Sequence, residues 1–262
     1  MYSARRSLSE LAAYRDLLIN LTVSELKLRY RGSVLGFLWT VLNPLFFLLI
    51  LAFVFSKIIR FQVDNYILFL FSGLVSWLMV QQTVTVATAS VVNNQYLIRK
   101  VYIPKLVFPL SSVLARYADH TVLLGVLLLF MALFSGPFSW NLLIVPYVLV
   151  LHFAFSLGLS LIFAVAHIRV RDVQQIAAVL FQAFFYATPI IYPLEALPER
   201  YRYLFLWNPF YHFVECLRAP VHRGALPPGD VLLAASGLAA GALILGFILF
   251  TRKERLFVFH LS

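Results

Sequence analysis

The sequence predicts an all-α integral membrane protein with six spanning helices. Three observations carry that expectation. The chain has 262 residues, 62% of them apolar or aromatic and 12% charged, against roughly 45–50% and about 25% in soluble proteins. The mean hydropathy is +0.88. Charge-free stretches recur at lengths near the ~20 residues that a bilayer-crossing helix needs. A water-soluble globular domain and a disordered chain are both excluded. Cys216 is the sole cysteine, so no intrachain disulfide forms and none staples the fold.

The elements follow in order within a single domain, 1–262. Arg5 and Arg6 precede a mixed segment and not the apolar core of a signal peptide. Residues 9–31 read as an interfacial helix, too charged to cross. Ile19, Val23, Leu26 and Tyr30 form one apolar stripe, and Leu17, Leu21 and Leu28 lie roughly opposite. Asn20, Ser24, Lys27 and Arg31 line one polar seam, and Thr22, Glu25 and Arg29 the other. Two apolar stripes point to membrane on one side and protein on the other; a plain interfacial anchor is the alternative.

Spans are expected near 34–58, 66–91, 108–134, 143–166, 173–191 and 231–251, with a turn at Gly136-Pro137-Phe138-Ser139-Trp140-Asn141. Between the fifth and sixth lies 195–224, divided by Pro198 and Asn208-Pro209 into two short helices near 199–207 and 209–219. Each is too short to span, and irregular backbone at that depth survives only under protein cover or beside a water-filled cavity. This segment reads as an outer cap.

Six spans place both termini on one side. Fourteen Lys and Arg fall there: Arg5, Arg6, Arg15, Lys27, Arg29, Arg31, Arg99, Lys100, Lys105, Arg169, Arg171, Arg252, Lys253 and Arg255. Six fall opposite: Lys57, Arg60, Arg200, Arg202, Arg218 and Arg223. The positive-inside rule makes the termini cytoplasmic. The net charge of +10 is therefore mostly topology, and no nucleic-acid module is present.

Chemistry is sparse. The sequence holds no G-x-x-x-x-G-K-[ST] phosphate loop, no dinucleotide fingerprint and no G-x-S-x-G elbow. His212 and Glu215 stand at a metal-like spacing but lack a second pair, so no metal site is expected. Arg116, Asp119 and His120 share one helix face, with Arg116 ~12 Å into its span at about 1.5 Å per residue. Intramembrane charges usually face protein or a wet path. The cluster reads as self-neutralising, with substrate contact the alternative. The inner half of the second span carries Gln81, Gln82, Thr83, Thr85, Thr88 and Ser90, which serve helix packing or wall a hydrophilic cavity. Gly237 and Gly241 form a G-x-x-x-G that favours close helix contact. Phe181, Phe184, Phe185 and Tyr192 in the fifth span, and Phe37, Trp39, Phe46 and Phe47 around Pro44 in the first, serve packing or offer faces to sugar rings.

The run Leu28-Arg29-Tyr30-Arg31-Gly32-Ser33-Val34-Leu35-Gly36-Phe37-Leu38-Trp39, ending at Asn43-Pro44, resembles the start of permease subunits of type 2 ABC exporters for bacterial polysaccharides. These are the O-antigen, capsule and teichoic-acid exporters, and the O-antigen group is the preferred match. Ile98 to Leu110 with Pro104 and Pro109, Arg171-Asp172, Thr188-Pro189-Ile190-Ile191-Tyr192, Leu197-Pro198 and Trp207-Asn208-Pro209 follow in the order of that family. Arg169-Val170-Arg171-Asp172 departs slightly from its aromatic-Arg-Asp.

The resemblance implies a transport subunit and not an enzyme, in a bacterial inner membrane. It implies a homodimer whose facing first and fifth spans line a glycan channel through Phe37, Trp39, Phe46, Phe181, Phe184, Phe185 and Tyr192. It implies two copies of a separate ABC ATPase, which carry ATP and Mg, with no cofactor on this chain. The substrate implied is a polyprenyl-diphosphate-linked glycan. Its diphosphate would be held by Arg29 and Arg31, then Arg99, Lys100 and Arg116; anionic-lipid binding or orientation is the alternative for each. ATPase coupling falls to Glu25, Lys27, Tyr96, Arg99, Lys100, Arg171 and Asp172, and the periplasmic gate to Tyr203, Trp207, Pro209 and Phe210. A drug or lipid exporter, a membrane enzyme acting on polyprenyl lipids through Asp119, His120 or the His212/Glu215 pair, and a non-catalytic scaffold are the rival readings.

Overall fold

The computed structural model describes residues 13–59, 63–134, 138–254 and 257. Residues 9–12 of the expected interfacial helix, Arg5, Arg6, Arg60, Arg255 and the Gly136-Pro137 part of the expected turn lie outside them. The chain runs as α1 Arg15–Tyr30, a 3-10 turn Gly36–Leu38, α2 Trp39–Phe53 and a π turn Val54–Ile59. Then come α3 Tyr66–Thr88, the short α4 Ser90–Asn93 and α5 Gln95–Lys100, α6 Val107–Leu133 and α7 Val145–Arg169. It ends with α8 Val173–Ala187, α9 Glu199–Leu206, α10 Pro209–Arg218 and α11 Gly229–Lys253.

Among the described residues, five helical segments are long and apolar enough to cross a bilayer: Gly36–Ser56, Tyr66–Thr88, Val107–Leu133, Trp140–Arg169 and Gly229–Lys253. The expected fifth span is shorter than its apolar run. Helix α8 has 15 residues, or ~22 Å at about 1.5 Å per residue, less than a ~30 Å hydrocarbon core. The reason is local. The ring of Pro189 disfavours helical backbone at the residue before it, and Thr188 is extended at φ −107 and ψ 136. The chain nevertheless continues to Ile191, whose carbonyl accepts from Tyr66 Oη (2.7 Å) at the far end of the bundle.

Helix α3 is the hub. In its most apolar stretch 78% of residues are buried, against 17% in the first span and 22% in the last. It touches α2, α6, α7, α8 and α10. Leu68, Leu70, Phe71, Leu74, Val75 and Val84 are all fully enclosed. An aromatic cluster of Trp77, Phe155, Phe181, Phe185, Phe210 and Phe213 joins α3, α7, α8 and α10 edge-to-face and by stacking.

A second core closes the end that carries the termini. Val91, Ile103, Leu106, Val107, Phe108, Leu161, Ile168, Phe250 and Phe257 pack together, and Tyr14, Leu17, Leu18 and Leu21 of α1 lean on them. The Lys105 backbone N–H donates to Glu254 Oε1 (2.9 Å), tying the turn before α6 to the end of α11.

Two expectations change here. Leu17 and Leu21 do meet protein, but Leu28 is 60% exposed, as are Ile19 (58%) and Val23 (39%). The polar seam Thr22, Glu25 and Arg29 turns inward instead, because α6 offers it hydroxyls and a carboxylate. Within the chain, the close helix contact is also not at Gly237 and Gly241. A Cβ at either would meet nothing within 4 Å, and both line an apolar cleft with Phe163, Phe184 and Leu245. The tight crossing is α7 on α11, where a Cβ on Gly158 would strike the Ala242 backbone and one on Gly246 the Gly158 carbonyl. These backbones have no room to give. Gly246→Val is expected to lower the melting temperature in detergent on the order of 5 °C, in proportion to ~1–3 kcal/mol of overpacking. Gly241→Ala should leave it unchanged in the same thermal scan.

Candidate functional site

A polar cavity of about 490 Å³ opens between α1, α2, α3 and α6. Each wall has a local cause. Helix α1 lies along α6 and keeps its inner face polar beyond Leu21. Glu25 accepts from Ser112 Oγ (2.7 Å), with Ser111 Oγ at 3.5 Å. One turn on, Arg29 pairs with Asp119, and Tyr30 Oη reaches Asp119 Oδ1 at 2.9 Å. Arg116 Nη1 stands 3.8 Å from the other oxygen of the same carboxylate. Asp119 is only 2% exposed, while Arg29 and Arg116 are 20% and 21%. Two guanidiniums therefore face one carboxylate. His120 is also buried, and neither its Nε2 nor Arg116 Nε has a hydrogen-bond partner.

The remaining walls come from α2 and α3. Gln81, Gln82 and Thr85 line the cavity, so the hydrophilic-wall reading of the second span holds for them. Thr83, Thr88 and Ser90 are buried in packing. Trp39, Thr40 and Asn43 close the first-span side. Gly32 (φ +78) and Gly36 (φ +49) adopt left-handed backbone between α1 and α2, which side-chain-bearing residues rarely tolerate. That turn folds Trp39 back over the cavity.

A second polar arrangement lies at the far end, where α8 breaks. Arg218 is buried and donates to the carbonyls of Pro189 (2.7 Å) and Ile190 (3.0 Å). Its guanidinium stacks 3.8 Å from the Phe69 ring centroid, and Gly73 leaves the space for it. Asn208 caps α10 by accepting from Phe210 N–H (3.0 Å) and donates to Ala187 O and Thr188 Oγ1 (both 2.9 Å). Carbonyls freed by the helix break are thus satisfied by side chains, as buried backbone requires.

The comparisons with known proteins agree with this architecture. The chain matches the ABC-2 type transporter family over residues 16–221. The chain belongs to that family. Among its relatives is the O-antigen export system permease protein RfbA of Myxococcus xanthus, 33% identical over 236 residues that cover 89% of this chain and 91% of that one. RfbA of Klebsiella pneumoniae is 32% identical, covering 80% and 82%. The polysialic acid transport protein KpsM of Escherichia coli is 26% identical, covering 89% and 92%.

In this ABC-2 chain the sequence-derived residue sets divide. Arg29 and Arg116 meet in the cavity, whereas Arg31, Arg99 and Lys100 are exposed outside it. Lys100 bonds to Tyr96 and covers its ring. Glu25 is committed to α6, while Lys27, Arg171 and Asp172 are exposed. Phe37, Trp39 and Phe46 are exposed on the first span. Phe181 and Phe185 are buried in the aromatic cluster, Phe184 is half-buried beside Phe210, and Tyr192 donates to Tyr186 O (2.7 Å). Phe181 and Phe185 nevertheless edge a second cavity of about 470 Å³, which they share with Phe47, Gln81, Gln182 and Tyr186 between α2, α3 and α8. Tyr203 and Trp207 are exposed, Pro209 begins α10, and Phe210 is core. Glu215 pairs with Arg223 and not with a metal partner at His212.

The Asp119 cluster is not self-contained, as expected from Arg116 alone, because α1 adds Arg29 and Tyr30 from about 90 residues away. In the sequence Arg218 enters only the charge count; its one signal is an arginine at the end of a short aromatic helix that starts at Asn208-Pro209.

Two predictions follow from these anchors. Burial lifts the Glu25 carboxyl above its ordinary value, against the Ser112 hydrogen bond and the Arg29 charge. An acid whose folded value is raised stabilises the fold at low pH and loses that contribution as pH rises through it. Glu25→Gln keeps the acceptor, so it should match or exceed the native melting temperature at neutral pH, with the gain shrinking on acidification. Arg218→Met strands two buried carbonyls, at ~1–3 kcal/mol each, and should lower the melting temperature on the order of 5 °C or more. Arg200→Met, at an exposed site, should not.

Proposed function

We propose that the chain is the permease subunit of an ATP-driven exporter of polyprenyl-diphosphate-linked polysaccharide, of the O-antigen type. The observation that carries this reading is the near-full-length likeness to O-antigen and polysialic acid export permeases. The basic cavity beside the N-terminal end of the first span supports it, because a guanidinium fork suits a phosphate. A hydrolysing subunit is required from outside, since the sequence carries no phosphate loop of its own. Two copies of a separate ABC ATPase, holding ATP and Mg, fill that role. They dock on the termini side through exposed Lys27, Tyr96, Arg99, Lys100, Arg171 and Asp172.

The working unit is a homodimer in the bacterial inner membrane with both termini cytoplasmic. Helix α8 and the following Thr188–Tyr192 make the sixth crossing. The poorly covered faces of α2 and α8 support pairing there, with Phe46, Ile50 and Phe53 exposed on one and Ile176, Val179 and Tyr186 on the other. Helices α9 and α10 form the periplasmic gate. The glycan passes between protomers, and its diphosphate is captured at Arg29, assisted by Arg31 at the membrane surface.

The test is purification of the tagged chain from native membranes in mild detergent. A stoichiometric P-loop ATPase is the expected companion, and loss of surface polysaccharide the expected result of deleting the gene. Intact polysaccharide after deletion would return a drug or lipid exporter to the front. Recovery of the chain alone, with turnover of polyprenyl lipid, would establish an enzyme instead. In the reconstituted complex, Arg29→Ala with Arg31→Ala should reduce lipid-stimulated ATPase activity about tenfold, the scale of one charge-assisted hydrogen bond.

A further inference from the structure

The geometry points to Asp119 as a built-in competitor for the lipid headgroup: a phosphate takes Arg29 and Arg116 from it, and the exchange loosens the end of the N-terminal helix on the third span, leaving it held by Tyr30 alone. This rests on the headgroup reading above and adds how occupancy of that site is sensed.

Three observations carry it. The first is charge. Two guanidiniums face one carboxylate in the wall of a cavity of about 490 Å³, and the next carboxylate, Glu25, hydrogen-bonds Ser112 one turn away and does not line it. An anion entering that volume meets two cations and a single competing carboxylate. The second is unspent hydrogen bonding. Arg116 stands at 3.8 Å from Asp119 and leaves its Nε without a partner, and His120 in the same cavity wall has a buried, unpartnered Nε2. Buried polar atoms are normally satisfied, so these two nitrogens point to a further polar partner. A diphosphate offers several oxygens, more than one carboxylate can.

The third is mechanical. Arg29 and Tyr30 are the last residues of α1, and both hold Asp119. Immediately beyond them lie Gly32 and Gly36, a turn with left-handed backbone at both glycines. One turn earlier, Glu25 stays tied to Ser112. If the headgroup takes Arg29, α1 keeps its Glu25 anchor and is held at its end by Tyr30 alone. The helix end then moves about Glu25, and the signal travels along α1 toward the face where Tyr14 and Leu17 meet the second core.

The inference predicts an inversion: removing a residue of the site strengthens binding. The permease, in phosphatidylcholine nanodiscs, is titrated with a polyprenyl diphosphate and followed by intrinsic fluorescence, with Trp39→Phe as the blank. Asp119→Asn and Asp119→Ser should each bind about tenfold tighter than wild type, the scale of one charge-assisted bond withdrawn from the competition. Asp119→Glu should stay close to wild type. Arg29→Gln and Arg116→Gln should each weaken binding about tenfold.

The outcomes separate. If neither arginine variant weakens binding, the headgroup reading itself fails. If both do but neither neutral Asp119 variant tightens it, the headgroup reading stands and the competitor inference is overturned. If both neutral variants fail to assemble while Asp119→Glu folds, Asp119 only pins the helix, and the inference is again overturned. Phosphatidylglycerol is titrated in parallel. The lipid whose binding tightens in the neutral variants is the source of the headgroup.

Discussion

A carboxylate buried inside a spanning helix needs cations, and the placement of Asp119 organises one whole end of this protein. Leaving it unpaired would be strongly destabilising, since a charge in a low-dielectric interior is tolerated only with a matched partner. Arg116 on the same helix stands too far away to pair closely. The close partner is Arg29, brought from the N-terminal helix. That pairing decides which face of the helix turns inward, fixes where the chain must bend at Gly32 and Gly36, and thereby seats Trp39. The cavity is the space left by this arrangement. Its polarity is therefore inherited from a pairing requirement, and its chemistry suits an anion for the same reason.

The other end obeys the same rule with backbone in place of charge. Pro189 interrupts the fifth apolar segment and leaves carbonyls that are buried away from solvent. Arg218 and Asn208 supply the missing donors from the helix that follows. An arginine makes a good donor here because its fork reaches two adjacent carbonyls at once, and Phe69 shields its face. Breaks in a membrane helix are permitted where neighbours repair them, and the repair defines the shape of the α8–α10 junction.

Much of this was legible in the sequence. Charge-free runs located every long apolar helix to within a few residues, because hydrocarbon thickness imposes a length that composition must meet. The Gln81, Gln82 and Thr85 wall could be seen as an alternative, and Arg116, Asp119 and His120 stood out as a cluster. What could not be read was which partner each would find. Arg29 and Asp119 are 90 positions apart, and no periodicity connects them. Leu17 and Leu21 face protein and Ile19 and Val23 face outward as two stripes imply, but past Leu21 the inward face of α1 is polar because α6 is polar where α1 meets it. Gly158 and Gly246 belong to no G-x-x-x-G pattern, yet they make the tight crossing, while Gly237 and Gly241 do not. A glycine spacing states that backbones could approach; only the tertiary arrangement states whose.

The crossing of α7 and α11 divides the molecule by stiffness. Backbone lies on backbone there, with no side chain between to change rotamer, so the two helices must move together or not at all. Helix α8 has the opposite character: Ala177, Phe181 and Phe185 are its buried residues. Amide exchange should rank the two accordingly, since local opening is easiest where few apolar contacts are lost. The consequence, within one protomer, is a stiff α7–α11 pair beside a helix α8 that only three buried side chains fasten, so most of the surface of α8 is left for whatever covers it to grip.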